Sequence, residues 1–132
     1  MNTFEIINIL YNDAPKAYAI IKGNGVEGML LVYSYDKGSV LVVEAQGLPD
    51  TDCNQGVHGL HIHEGTTCTG TKENPFSDAG SHFSINDCTH PYHSGDLPPL
   101  FSMNGQAWMS VYIQKFVPEQ IIGRTIIIHE KA

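Results

Sequence analysis

Apolar and polar positions alternate with a period of two along much of the chain, and turns rich in glycine interrupt the alternation. Residues 17–22 read as a first strand, closed by Gly23-Asn24-Gly25. Residues 27–35 and 39–46 are rich in Val, Leu and Tyr and flank Asp36-Lys37-Gly38, a hairpin signal. Gly47-Leu48-Pro49-Asp50 ends this meander, residues 57–64 suit a fourth strand, and period-two signals return at 106–113 and 125–129. No window of eleven residues carries a helical stripe, so residues 1–16 stand as an N-terminal extension and no helix is predicted. The pattern predicts an all-β fold, a sandwich or barrel of short antiparallel strands.

Residues 65–99 break the rule. They are full of Gly, Pro, Ser, Thr, Asn and Asp, and no periodicity survives. A structureless stretch of this length inside a compact domain is usually functional or disordered. This one holds three histidines and two cysteines, which points to a functional loop tied down by metal.

At 132 residues the chain reads as one domain, 1–132, able to bury a core of its own. Hydrophobic residues make up 42% and charged residues 16%, which excludes a disordered chain. The formal charge of −7 argues against nucleic-acid or acidic-membrane partners, and no run approaches the length of a membrane span. Residues 4–10 are apolar but short, lack a basic start and are interrupted by Glu5 and Asn8, so they make a poor leader. The expectation is a cytoplasmic protein, although an exported form with its leader removed would look the same. Three cysteines, Cys53, Cys68 and Cys88, allow one disulfide and leave one thiol over.

The histidines carry the chemistry. Six of the seven (His58, His61, His63, His82, His90 and His93) fall between positions 58 and 93, where even scatter would place about two. In His58-Gly-Leu-His61-Ile-His63, strand alternation puts His61 and His63 on one face, where two imidazoles can chelate one ion. His58 points the other way with Leu60 and Ile62, which suits a hydrogen-bonding support better than a ligand. Taken alone, His-x-His also describes an exposed polar strand face. His90-Pro-Tyr-His93-Ser-Gly-Asp96 gathers two imidazoles and a carboxylate in a turn-rich loop, a donor set that suits tetrahedral zinc with one further ligand. His82 lies between the two groups and can serve either, and His129 ends the last candidate strand.

The segments 57–64 (Val-His-Gly-Leu-His-Ile-His-Glu), Cys68-Thr69, Gly80-Ser-His82-Phe83, His93-Ser-Gly-Asp96-Leu97 and 122–132 (Ile-Gly-Arg-Thr-Ile-Ile-Ile-His-Glu-Lys-Ala) together resemble the successive motifs of copper/zinc superoxide dismutases. The similarity runs from about residue 17 to 132, and the compact loop His-Pro-Tyr-His-Ser-Gly-Asp-Leu-Pro-Pro is similar to bacterial members. The resemblance implies a Greek-key antiparallel β-barrel or sandwich lacking its final strand. It implies copper bound by His61, His63, His82 and His129, and zinc bound by His82, His90, His93 and Asp96. His82 would bridge the metals and act in catalysis by delivering a proton, while His58 would support the copper strand. The implied substrate is superoxide, disproportionated to O₂ and H₂O₂ by copper redox cycling beside a structural zinc.

The resemblance also implies residues that are not among the 132. An aspartate linking the two metal sites, an arginine that guides superoxide, the partner cysteine of Cys68 and a final strand would all follow Ala132. Cys68 is then expected to be free or to cross-link chains, with Cys53 and Cys88 as a candidate pair or Cys68 taking one of them. Unpaired strand edges are expected to favour a homodimer or larger assemblies. The alternative to an active enzyme is a copper- and zinc-holding barrel with weak or no dismutation. A zinc hydrolase is disfavoured, because no general base stands free beside an open zinc position.

Overall fold

Strands form where alternation and turn chemistry place them, with two exceptions that the pattern hides. The computed structural model describes residues 1–50 and 56–132. β1 (Ala17–Gly23), β2 (Val26–Tyr35) and β3 (Gly38–Gln46) make the antiparallel meander. Its first turn uses Asn24 and Gly25 at φ 52° and 82°, the left-handed pair that a two-residue hairpin requires. β4 (Val57–His63), β5 (Asp96–Met103), β6 (Gln106–Ile113) and β7 (Thr125–Ile128) follow, all paired antiparallel.

The spatial order is β1-β2-β3-β6-β5-β4-β7, so the link from β3 to β4 crosses over to start a second meander that runs back to β3. This is a Greek-key arrangement. The curled sheet encloses one core, including Leu30, Val32, Leu41, Val43, Leu60, Ile62, Leu100 and Phe116. β1 and β7 end the strand order and face each other across an apolar cavity of about 260 Å³ lined by Ala17, Ala19, Val32, Ile62 and Ile126. The expected all-β barrel is present and nearly closed, with seven strands and an open seam between β1 and β7 among the described residues.

β5 is the first departure. It begins at Asp96, inside the stretch expected to be a loop, because Pro98 and Pro99 mask the strand signal. Both prolines fall where the β4–β5 register slips between His58 and Leu60, and β5 pairs with β6 only at Ser102 and Met103. Their missing N–H groups therefore break no rung of either ladder.

The second departure is a helix, α1 (Thr3–Asn12), in the N-terminal extension where none was predicted. Asn2 and Glu5 cap it reciprocally, each side chain accepting the other's backbone N–H. Ile6, Ile9 and Leu10 pack on Tyr33, Val40 and Tyr112 of the outer sheet face. Phe4, Ile7 and Tyr11 face solvent, so apolar residues encircle the helix and blur its stripe. Tyr35 Oη donates to Glu5 Oε2 at 2.5 Å, and this hydrogen bond to the carboxylate pushes the tyrosine up to about 12. No helix among the described residues is long and apolar enough to cross a membrane.

Ile9 is the one buried residue of α1. Replacing it with alanine should weaken the docking of α1 by about 2 kcal/mol. In hydrogen exchange, Ile9→Ala should speed the α1 amides and leave the barrel amides unchanged. Equal acceleration of both sets would mean that helix and barrel open as one unit.

Candidate metal centre

β4 builds one side of the site. Its alternation sends Leu60 and Ile62 into the core, at 0% and 2% exposure, and leaves His61 and His63 on the opposite face. His58 is fully buried with both ring nitrogens engaged: Nε2 lies 3.1 Å from Ser102 Oγ and Nδ1 lies 3.2 Å from the His129 carbonyl. A ring held at both nitrogens braces its neighbours and has no lone pair left for a metal.

His129 stands just past β7, three residues from the chain end, yet its backbone is paired. Its N–H donates to the Gly59 carbonyl at 2.8 Å, and Gly59 N–H donates to the Lys131 carbonyl at 2.8 Å. His82 is brought in by an isolated antiparallel bridge to His63. The chain there runs close along β4: Glu64 N–H donates to Ser81 O and Phe83 N–H to Ile62 O. Arg124 helps fix this corner, stacking its guanidinium 4.5 Å from the Phe83 ring centre and donating to the Glu64 carbonyl.

The remaining residues come from the loop before β5. His93-Ser-Gly-Asp96 is a tight turn, closed by Asp96 N–H donating to His93 O at 3.0 Å and His93 N–H donating to Asp96 Oδ2 at 2.8 Å. Gly95 lies flat on β4, and a Cβ there would collide with the Ile62 carbonyl. His90 Nδ1 and His93 Nδ1 lie 3.4 and 3.1 Å from Asp96 Oδ2, and His82 Nδ1 lies 2.8 Å from Asp96 Oδ1.

Two groups of donors result. Ligand atoms of His61, His63, His82 and His129 lie within 4.8 Å of one another, as do those of His61, His82, His90 and Asp96. His93 joins the second group through its contact with Asp96. The structure thus gathers all seven residues anticipated as ligands, sets His58 behind them, and puts His61 as well as His82 within reach of both groups.

The chemistry of these atoms fits metal. Among the described residues, His63 Nε2 is buried without a hydrogen-bond partner, and the buried His82 Nδ1 and His93 Nδ1 meet only the Asp96 carboxylate. Ligand atoms buried together with no partner, or with only one another, are a burden for a marginally stable domain unless an ion completes them. His63 Nδ1 lies 2.9 Å from the Gly80 carbonyl and can donate only to it, which fixes the tautomer that leaves Nε2 free to bind. Four imidazoles suit copper, and three imidazoles with one carboxylate suit tetrahedral zinc.

Electrostatics prepares the same atoms. Burial and the nearby rings of His82 and His129 push His61 down to about 4. Burial likewise lowers His82, against the opposing charge of Asp96, and burial followed by the charges of the neighbouring His63 and His82 rings lowers His129. These downward shifts favour the uncharged rings that metal binding demands. Burial raises Asp96, but the His93 N–H bond and the imidazoles of His82, His90 and His93 outweigh it and hold the carboxyl low.

The expectation of a free Cys68 holds, and the alternative in which it pairs with Cys88 does not. Cys68 and Cys88 are both exposed free thiols, so no disulfide joins them. Burial was not the obstacle; neither thiol has another cysteine in reach among the described residues, and Cys53 lies outside those residues.

The shifts set a pH dependence for the metal-free protein. His61, His82 and His129 sit below the unfolded value of about 6.5, so the unfolded chain binds more protons than the folded one in that window. Metal-free stability should be fully present above pH 6.5 and should fall as pH drops from about 6.5 toward 4. Urea midpoints measured across that range check this, and a flat or rising midpoint on acidification would count against it.

Known proteins agree with this geometry. The family described as copper/zinc superoxide dismutase matches residues 26–132. The chain is 32% identical over 128 residues to Cu-Zn superoxide dismutase 4 of Dictyostelium discoideum, covering 87% of this chain and 79% of that protein. It is 32% identical over 132 residues to the Cu-Zn superoxide dismutase of Onchocerca volvulus, covering 88% and 75%. The Cu-Zn superoxide dismutase A of Xenopus laevis is 32% identical over 127 residues, covering 88% and 78%. With the family match spanning most of the barrel and the donors of both groups converging as described, this chain belongs to the copper/zinc superoxide dismutase family.

Proposed function

We propose that this protein is a copper/zinc superoxide dismutase whose centre is formed by His61, His63, His82, His90, His93, Asp96 and His129. The observation that carries the reading is the convergence of their ligand atoms into two adjoining groups, with the buried His63 Nε2 left unpaired among them. His61, His63, His82 and His129 are the proposed copper ligands, and His82, His90, His93 and Asp96 the proposed zinc ligands. Bound copper supplies one-electron redox cycling, by which one superoxide is oxidised to O₂ and a second, with two protons, is reduced to H₂O₂.

The chain's own residues do the rest. His58 braces the copper side through the His129 carbonyl, and Gly80 O orients His63. With Nδ1 of His82 beside Asp96, its Nε2 is left for the copper group, and that nitrogen is the proposed proton donor to the reduced product. The zinc-side residues hold the His82 ring in that orientation, the task expected of an outer-shell partner.

The barrel seam supports a second, structural reading. β1 and β7 are both edge strands flanking an apolar cavity, and exposed edges recruit further strands. We propose that copies self-associate there. Sedimentation across a dilution series should show a concentration-dependent dimer or larger species, and a monomer at all concentrations would refute it.

The metal assignment has a sharper test. Reconstituted protein should bind close to one copper and one zinc and remove superoxide well above the rate of metal-free protein. His129→Ala is the better probe than His61→Ala, because His61 lies within reach of both groups. His129→Ala should lower copper affinity and activity by at least 10-fold while zinc binding stays near wild type. A fully loaded protein without turnover would sink the enzyme reading, and equal loss of both metals would sink the ligand assignment.

A further inference from the structure

Lys115 is a lone lysine two residues past the end of β6, with nothing in its sequence surroundings to suggest a role. In the fold its ammonium reaches the metal end of the barrel. Nζ donates to the Asp96 carbonyl at 3.1 Å and to the His93 carbonyl at 3.3 Å. Those carbonyls are the two ends of the tight turn that carries two of the four proposed zinc ligands.

The turn is held from three directions. Its own hydrogen bonds close it, from His93 N–H to Asp96 Oδ2 and from Asp96 N–H to His93 O. On the barrel side Gly95 lies against β4, donating to the Phe83 carbonyl and accepting from Ile62 N–H. Lys115 supplies the third hold, from the chain that leaves β6. An ammonium has three donors and can serve two carbonyls at once, and charge-assisted bonds are roughly twice as strong as neutral ones.

We propose that Lys115 is a positioning residue for the zinc site, clamping both ends of the 93–96 turn so that His93 Nδ1 and Asp96 Oδ2 stay together at binding distance. The inference rests on the zinc assignment above. It opposes what charge alone dictates. A cation near a dication repels it, so removing Lys115 should tighten zinc binding if electrostatics ruled. The clamp demands the opposite sign.

The test compares Lys115→Met with Lys115→Arg, which keeps charge and multiple donors. Zinc affinity is read by competition with a chromophoric chelator, and ligand geometry by the visible absorption of cobalt(II) placed in the zinc site. Lys115→Met should weaken zinc by about 10-fold, the lower end for losing an outer-shell partner, and should change the cobalt bands. Lys115→Arg should restore both toward wild type, and the denaturation midpoint of the metal-free Met variant should match wild type. Should Lys115→Met fail to fold, Lys115→Gln is read in the same way. Zinc binding as tight as wild type or tighter with unchanged cobalt bands overturns the proposal, as does a loss of zinc affinity matched by a loss of metal-free stability. Wild-type protein that takes up no zinc overturns the metal assignment as well, whereas a wild-type site insensitive to Lys115 overturns only the clamp.

Discussion

The Asp96 carboxylate is buried with three imidazole nitrogens within 3.4 Å, and the metal end of the barrel is arranged around it. Removing a carboxylate from water costs several kcal/mol unless partners replace the lost solvation. Here the His93 N–H and the surrounding rings do so, which is why its carboxyl stays low despite burial. As the first residue of β5, Asp96 sits directly across from His61 on β4. One backbone rung therefore ties a residue of the copper group to one of the zinc group, and the loop before β5 must deliver His90 and His93 to that point.

The two groups are not separable objects. His61 and His82 have ring centres 4.1 Å apart, and each lies within reach of both sets of donors. Burial and the neighbouring rings both disfavour a proton on His61 and on His82, which holds these two below their usual range. The same crowding that makes protons unwelcome makes a divalent ion welcome, because the ion alone satisfies several lone pairs at once.

Much of this was legible in the sequence because β4 obeys a strict period of two. That period separated His61 and His63 from His58, and the buried, doubly held His58 shows what the separation meant. β5 was illegible because Pro98 and Pro99 are strand-breakers unless a register slip removes the rungs they cannot make, and a slip is a property of two strands together. α1 was hidden by Phe4, Ile7 and Tyr11 on its solvent side, although the Asn2 and Glu5 spacing of a capping box was there to be read. Lys115 carried no signal at all. Its partners are main-chain carbonyls about twenty residues away, and carbonyls have no residue type to recognise.

The open seam gives the two metal groups unequal mechanical support. The zinc-side turn lies against the interior strand β4, with neighbours on both sides of it in the sheet. His129 belongs to the strip that follows β7, a four-residue strand whose ladder partner among the described residues is β4. Edge backbone frays unless something beyond its own ladder restrains it. Two rungs to Gly59 continue the ladder past the strand, and the buried His58 ring reaches the His129 carbonyl from behind. Gly59 suits this place because a Cβ there would press on the Lys131 carbonyl at 3.2 Å. His129 is therefore held by two backbone rungs and the His58 brace, while the zinc-side turn is held by its own hydrogen bonds and by Gly95 on an interior strand, so bound metal adds more order around His129 than around Asp96.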